Sequence, residues 1–208
     1  MKINQTKSIL FTLAITAVAF AFTAFVPVPA KQKFVVDTQA STLHWVGKKV
    51  TGQHSGTVGV SSGELTAEGK AITSGKFSID LAAIKVTDIT DTDSKAKLTG
   101  HLKSDDFFAT EKYPKADFVL SSATPSTEGN YLVKGKLTIK GITNDIEFPA
   151  AITVGEKQLV ATAKILVDRT KYDIKFRSTN FFENLGDKAI DNNFELDLKL
   201  VANQQKGA

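Results

Sequence analysis

Apolar and polar residues alternate one for one along run after run of this chain. That period of two constrains the fold more than any other feature. Ala116, Phe118 and Leu120 interleave with Asp117, Val119 and Ser121, and Leu159, Ala161, Ala163, Ile165 and Val167 interleave with Thr162, Lys164 and Asp168. The same spacing joins Leu43 to Trp45, Phe77 to Ile79 and Leu81, Val133 to Leu137 and Ile139, and Ile146 to Phe148, Ala150 and Ile152. It returns at Phe194, Leu196, Leu198 and Leu200. Successive side chains of a strand point to opposite faces, so each run makes a strand with one dry and one wet face.

Short glycine-bearing gaps separate the runs: Glu68-Gly69-Lys70, Glu128-Gly129-Asn130, Lys140-Gly141-Ile142-Thr143 and Gly155-Glu156-Lys157. Such gaps favour hairpins and so antiparallel neighbours. Long strands of roughly 8–10 residues favour a barrel over a sandwich. The expected fold class is therefore all-β, a closed antiparallel eight-stranded barrel. At that strand number the interior is wide enough to be filled by side chains or to hold one small ligand. One segment breaks the pattern. Asp93–Lys103 reads as a short helix, with Asp93 or Ser94 as its cap and Leu98 and Leu102 four apart on one face.

The N-terminus does not read as part of the barrel. Lys2 and Lys7 precede an uncharged run from Ile9 to Phe25, followed by Val26-Pro27-Val28-Pro29-Ala30. This is the layout of a secretory signal, with cleavage expected after Ala30, residues 1–30 forming the leader and 31–208 the barrel domain. An uncleaved anchor helix is the alternative. Either way the chain leaves the cytoplasm, and periplasmic or secreted placement is expected. It has no Cys, which excludes disulfides, thiolate metal sites and thiol nucleophiles. A net charge of +4, half of it from Lys2 and Lys7, leaves no footprint for nucleic acid.

Chemistry-bearing residues are sparse. His44, His54 and His101 fall on separate elements, and no strand–Gly-x-Ser-x-Gly–helix elbow occurs. No catalytic residue and no metal ligand is assigned. Asp88, Asp91 and Asp93 alternate, but without the central Gly and terminal Glu of a calcium loop. The aromatic residues say more. Ten of the fourteen Phe lie beyond Ala30, and several share faces with small residues such as Ala116, Gly135, Ala150, Ala161 and Ala163. Small inward residues leave volume, which is costly unless something fills it.

His101-Leu102-Lys103-Ser104-Asp105-Asp106-Phe107-Phe108, followed by Tyr113-Pro114 and Phe118, resembles the signature of the YceI-like, polyisoprenoid-binding family. Three further stretches resemble it in order: Gly135–Thr143, Arg169 with Tyr172-Asp173-Ile174, and Gly186-Asp187. Asp37, Ser41, Leu43 and Trp45 fit its first strand, and the likeness runs over about residues 34–202. Two departures stand out: the family's Gly near Asp173 is absent, and residues 175–185 form an aromatic insertion.

The resemblance implies a lipocalin-like barrel carrying a long isoprenoid lipid, of polyprenyl phosphate or quinone type, with no other cofactor. Under it the expected lining is Leu43, Trp45, Phe77, Ile79, Phe107, Phe108, Phe118, Leu137, Phe148, Ile165, Phe181 and Phe182, with Arg169, Lys171 and Arg177 toward a headgroup. Arg169 has a second reading, as a buried partner for an acid such as Asp173. Transient membrane contact and a homodimer fit this picture. Two other classes stay open: a hydrolase or isomerase working in the same cavity, and a ligand-free structural barrel.

Overall fold

A computed structural model describes residues 30–126 and 129–205. Nine strands form among them: β1 (Lys31–Val36), β2 (Thr42–Lys49), β3 (Gly52–Glu68), β4 (Ala71–Val86), β5 (Lys115–Pro125), β6 (Asn130–Ile139), β7 (Ile142–Val154), β8 (Gln158–Asp168) and β9 (Ile190–Gln204). One helix, α1 (Thr92–Lys103), connects β4 to β5 and packs on β4. Each strand from β2 to β9 pairs antiparallel with the next, and β9 closes on β2, so the sheet is an up-and-down barrel.

Nine strands fill eight positions because β1 and β2 share one. Both lie between β3 and β9, with β1 against Glu64–Glu68 and β2 against Gly52–Val58. Asp37 and Ser41, which the sequence places on one continuous strand, form the break. The Asp37 carboxylate accepts the Gln39 and Ala40 N–H groups at 3.1 and 3.0 Å. Ser41 Oγ bonds to both backbone groups of Val201 on β9.

β3 and β4 run 17 and 16 residues, longer than alternation suggests. β3 hides from a periodicity search because Gly, Ser, Thr and Glu dominate its wet face and part of its dry one. Register shifts at Thr57/Gly59, Val60/Ser62 and Thr66/Ala67 bend this pair around the barrel. The β6–β7 turn uses Lys140 and Gly141 with φ of 50° and 75°, the left-handed pair that matches strand twist. Asp91, rather than Asp93 or Ser94, caps α1 by accepting the Ser94 N–H at 2.8 Å. β9 continues to Gln204, and the Asn203 amide donates to Asp37 at 3.2 Å. The leader and its cleavage site lie outside the described residues, apart from Ala30.

Inward parity follows the alternation along β2, β6 and β8, whereas in β3 and β4 it switches at the register shifts. The apolar core divides along the barrel axis. One cluster, around Phe34, Leu159 and Ala202, all fully buried, plugs the end where β1 lies. The larger one fills the middle and reaches Leu102 of α1 and Ile174.

Candidate functional site

Two apolar chambers lie one above the other inside the barrel, each a cavity of about 100 Å³. They share four wall side chains, Leu43, Ile79, Leu137 and Leu196, which form a waist between them. At about 24 cal/mol per Å³, leaving either cavity empty costs about 2 kcal/mol. Both together are a substantial fraction of a domain's usual stability.

The lower chamber is lined by apolar side chains alone. Phe77, Phe118, Phe148 and Ile165 border it, with Ala123, Ala150, Ala161 and Ala163 supplying room. Phe77 and Phe118 stack with centroids 5.9 Å apart, and Phe148 lies 5.9 Å from Phe118. Gly135 leaves no spare volume, contrary to its expected role. A Cβ there would stand 2.3 Å from the Phe118 ring, so the missing side chain makes the seat for that ring.

The upper chamber mixes elements. Trp45, Leu102, Phe107, Phe108 and Ile174 supply its apolar wall, and Lys48, Arg169, Asp191 and Asn193 its polar border. Trp45 donates its indole N–H to the Lys85 carbonyl at 3.2 Å. Gly56 permits this, because a Cβ there would fall 1.8 Å from that same carbonyl oxygen. Above the chamber, His101, Phe107 and Phe176 pack edge to face or tilted at 4.5–5.8 Å.

The pairing of β2 with β9 carries a bulge beside the upper chamber. Between the pairs Gly47↔Phe194 and Lys49↔Ile190, the single residue Lys48 of β2 faces Asp191, Asn192 and Asn193 of β9. Gly47, Lys48, Asp191 and Asn193 all border the upper chamber, and nothing lies within 4 Å of where a Gly47 Cβ would project. Lys48 pairs with Glu195. Their hydrogen bond and mutual charge hold the ammonium above its ordinary range and the carboxylate below its own.

Arg169 borders this chamber but is committed elsewhere. It is 3% exposed, and its guanidinium donates to the carbonyls of Ile174, Asp191 and Ile190 at 2.8, 2.9 and 3.0 Å. Three of its five donors therefore clamp the segment after β8 to the start of β9. Burial pushes its pKa down, opposed by Asp168 and Asp191. Asp173 is not its partner; that carboxylate takes Lys175 at 2.6 Å. Neighbouring Tyr172 is pushed up to about 12, first by burial and then by the Asp168 charge.

Ten of the twelve expected lining residues border one chamber or both: Leu43, Trp45, Phe77, Ile79, Phe107, Phe108, Phe118, Leu137, Phe148 and Ile165. Phe181 and Phe182 do not, and each is 48% exposed. Ser178, fully buried, holds their turn outward by accepting the N–H groups of both on its carbonyl at 3.1 and 3.0 Å. Lys171 and Arg177 border neither chamber, and Arg177 lies over the Phe176 ring. Lys48, which with Lys49 reads from the sequence as a strand-end cation able to meet a lipid phosphate, borders the upper chamber; Gly47, Asp191 and Asn193 escape sequence reasoning, because nothing local marks a bulge between strands some 140 residues apart.

None of the three histidines borders a chamber. His44 lies on the wet face of β2, His54 meets Asp88 at 2.9 Å, and His101 meets Asp106 at 3.2 Å. Among the described residues no three His, Cys, Asp or Glu converge as a metal site.

Comparison with known proteins agrees with this architecture. A UPF0312 protein of Shewanella denitrificans is 38% identical over 91 residues, 40% of this chain and 47% of that protein. One from Staphylococcus aureus is 37% identical over 86 residues, 38% and 47% of the two chains. The match thus spans about half the length of these curated relatives. Among solved structures, a polyisoprenoid binding domain from Saccharophagus degradans implicated in plant cell wall breakdown aligns with TM-score 0.60 at 16% identity, covering 83% of this chain and 98% of that one. BcnA of Burkholderia cenocepacia aligns with TM-score 0.58 at 20% identity, covering 80% and 98%. The YceI-like domain family matches residues 34–202, nearly the whole described barrel, and the chain belongs to that family.

Proposed function

We propose that this protein is an exported carrier that binds the apolar tail of an isoprenoid lipid along the barrel axis. The observation that carries the proposal is the lower chamber, whose wall offers no polar group to any ligand. Only a hydrocarbon fills such a space without stranding a polar atom. The polyisoprenoid-binding description of the Saccharophagus degradans domain supports the isoprenoid class.

The tail passes the waist, and its polar end lies at the β2–β9 seam beside Lys48 and Asn193. A cavity of about 150 Å³ takes a benzene-sized ligand, so the two chambers as they stand match on the order of ten carbons. A longer tail enters by swinging the flexible leucines of the waist. Because the lipid's tail is already dry in a bilayer, net extraction depends on fit and on the polar end rather than on gross hydrophobic transfer.

The test is titration of delipidated protein with a polyprenyl phosphate, read by the single Trp. Trp45 emission changes and saturates at one lipid per chain, while a water-soluble sugar phosphate leaves it unchanged. Equal responses to both, or to neither, contradict the proposal. Export is tested separately by intact mass. A secreted form beginning at Lys31 supports it, and a retained leader supports an anchor.

A further inference from the structure

The aromatic turn after β8 is displayed rather than loose. Its pedestal is Ser178, whose Oγ donates to Asn192 at 2.6 Å and accepts the Asn180 N–H at 3.2 Å. Arg177 and Asn184 bracket the turn in left-handed conformations, φ 50° and 56°, which cost a non-glycine residue free energy. The reward is not burial, since Phe181 and Phe182 both stay half in water. Lys175 lies 5.3 Å over the Phe181 ring, so a cation sits beside the exposed aromatic, as at water–bilayer boundaries.

The position of the turn matters as much as its chemistry. Ile190, which pairs with Lys49 at the edge of the β2–β9 seam, donates its N–H to Arg177. Val50, 64% exposed at the β2–β3 tip, bonds to Ala189. Three exposed apolar side chains therefore share the rim that carries the β2–β9 bulge.

We propose that Phe181 and Phe182 are a membrane anchor that sets the β2–β9 seam against a bilayer. The inference rests on the lipid-carrier reading, because the seam joins the bilayer to a chamber that takes lipid. Charge around the turn is nearly balanced: Lys171, Lys175, Arg177 and Lys188 against Asp173, Glu183 and Asp187. Ring insertion, not attraction to anionic headgroups, is what holds the protein. Binding to zwitterionic vesicles is therefore expected, with little loss in about 0.5 M salt.

The chain has no Cys, so one introduced thiol reports one place. Full-length protein with Asn180→Cys carries an environment-sensitive dye in the turn, and Leu166→Cys carries it on the outer wall of β8. With phosphatidylcholine vesicles, the dye at 180 shifts to the blue and is shielded from an aqueous quencher at least fivefold, and the dye at 166 is unaffected. Adding Phe181→Ser and Phe182→Ser abolishes the response at 180. An unresponsive dye at 180, a response that survives both substitutions, or binding only to anionic vesicles that salt removes, overturns the anchor. Lipid extracted from the same preparation is measured alongside. An empty barrel with an inserting turn removes the carrier reading and keeps the anchor; a loaded barrel with an inert turn does the reverse.

Discussion

The lower chamber is walled by strands alone, whereas the upper one is walled by strands, a helix and two connecting segments. Both use the same inward parity of the same barrel, yet only the upper one meets polar groups: Lys48, Arg169, Asp191 and Asn193. The difference teaches how an up-and-down barrel divides its labour. Alternation makes a uniformly dry interior wherever strands pair in register. Polarity enters at the bulge between Gly47 and Lys49 and at the turn that Arg169 clamps, whereas the register shifts beside Val60 and Leu120 leave the lower chamber dry. A tail belongs in the first region and its polar end in the second.

The comparison breaks most directly in the lower chamber. Phe118→Asp puts a carboxylate among apolar side chains with no partner, at a cost of roughly 4 kcal/mol or more. The variant is expected to unfold or to lose its lipid, by thermal melting and extraction. If it stays stable and loaded, Phe118 does not face the cavity and the register is off by one residue. In the upper region the largest effect belongs to Arg169. Arg169→Lys keeps a charge and one of the three carbonyls but cannot span all of them, and the expected loss is about 2 kcal/mol at roughly 1 kcal/mol per bond. A lysine variant with unchanged denaturant midpoint would show that Arg169 does not clamp the segment after β8.

Alternation by itself makes the lower chamber legible in the sequence. Phe77, Phe118, Phe148 and Ile165 each sit on a run whose period names its inward face. The upper chamber is legible only where a strand contributes, as at Leu43 and Trp45, or where a motif marks the loop, as at Phe107 and Phe108. Phe181 and Phe182 mislead because hydrophobicity states a preference for burial, not whether the backbone grants it; Ser178 turns both away. Asp37 and Ser41 mislead for a related reason. Side chains that bond to nearby backbone compete with strand pairing, and here they break one strand into two. The bulge at Lys48 has no local signal, since it exists only as a mismatch in length between two strands.

Smaller effects sharpen the boundary between the chambers. Trp45→Phe keeps an aromatic ring but removes the N–H bonded to Lys85, and costs about 1 kcal/mol in chemical denaturation. Lipid exchange is expected to change less than stability, because the indole is held by the wall rather than by the ligand; the reverse outcome would make it a ligand contact. Gly47→Phe has the smallest effect on stability, within about 0.5 kcal/mol, because no atom stands where its side chain would begin. It narrows the seam and takes up part of the upper chamber, and transfer of a fluorescent polyprenyl lipid from vesicles is expected to slow about tenfold, with weaker equilibrium loading. Unaltered transfer would move the route elsewhere on the rim.

Native mass spectrometry of the protein purified from its own cells, with identification of whatever an organic solvent extracts, decides whether the barrel carries an isoprenoid lipid. One adduct per chain is expected, with masses spaced by the five-carbon isoprenoid unit. Loss of the adduct on extraction should be accompanied by a lower melting temperature, since two empty cavities of about 100 Å³ remain. A bare chain that yields no lipid, takes none up from vesicles and melts at the same temperature after extraction would contradict lipid carriage.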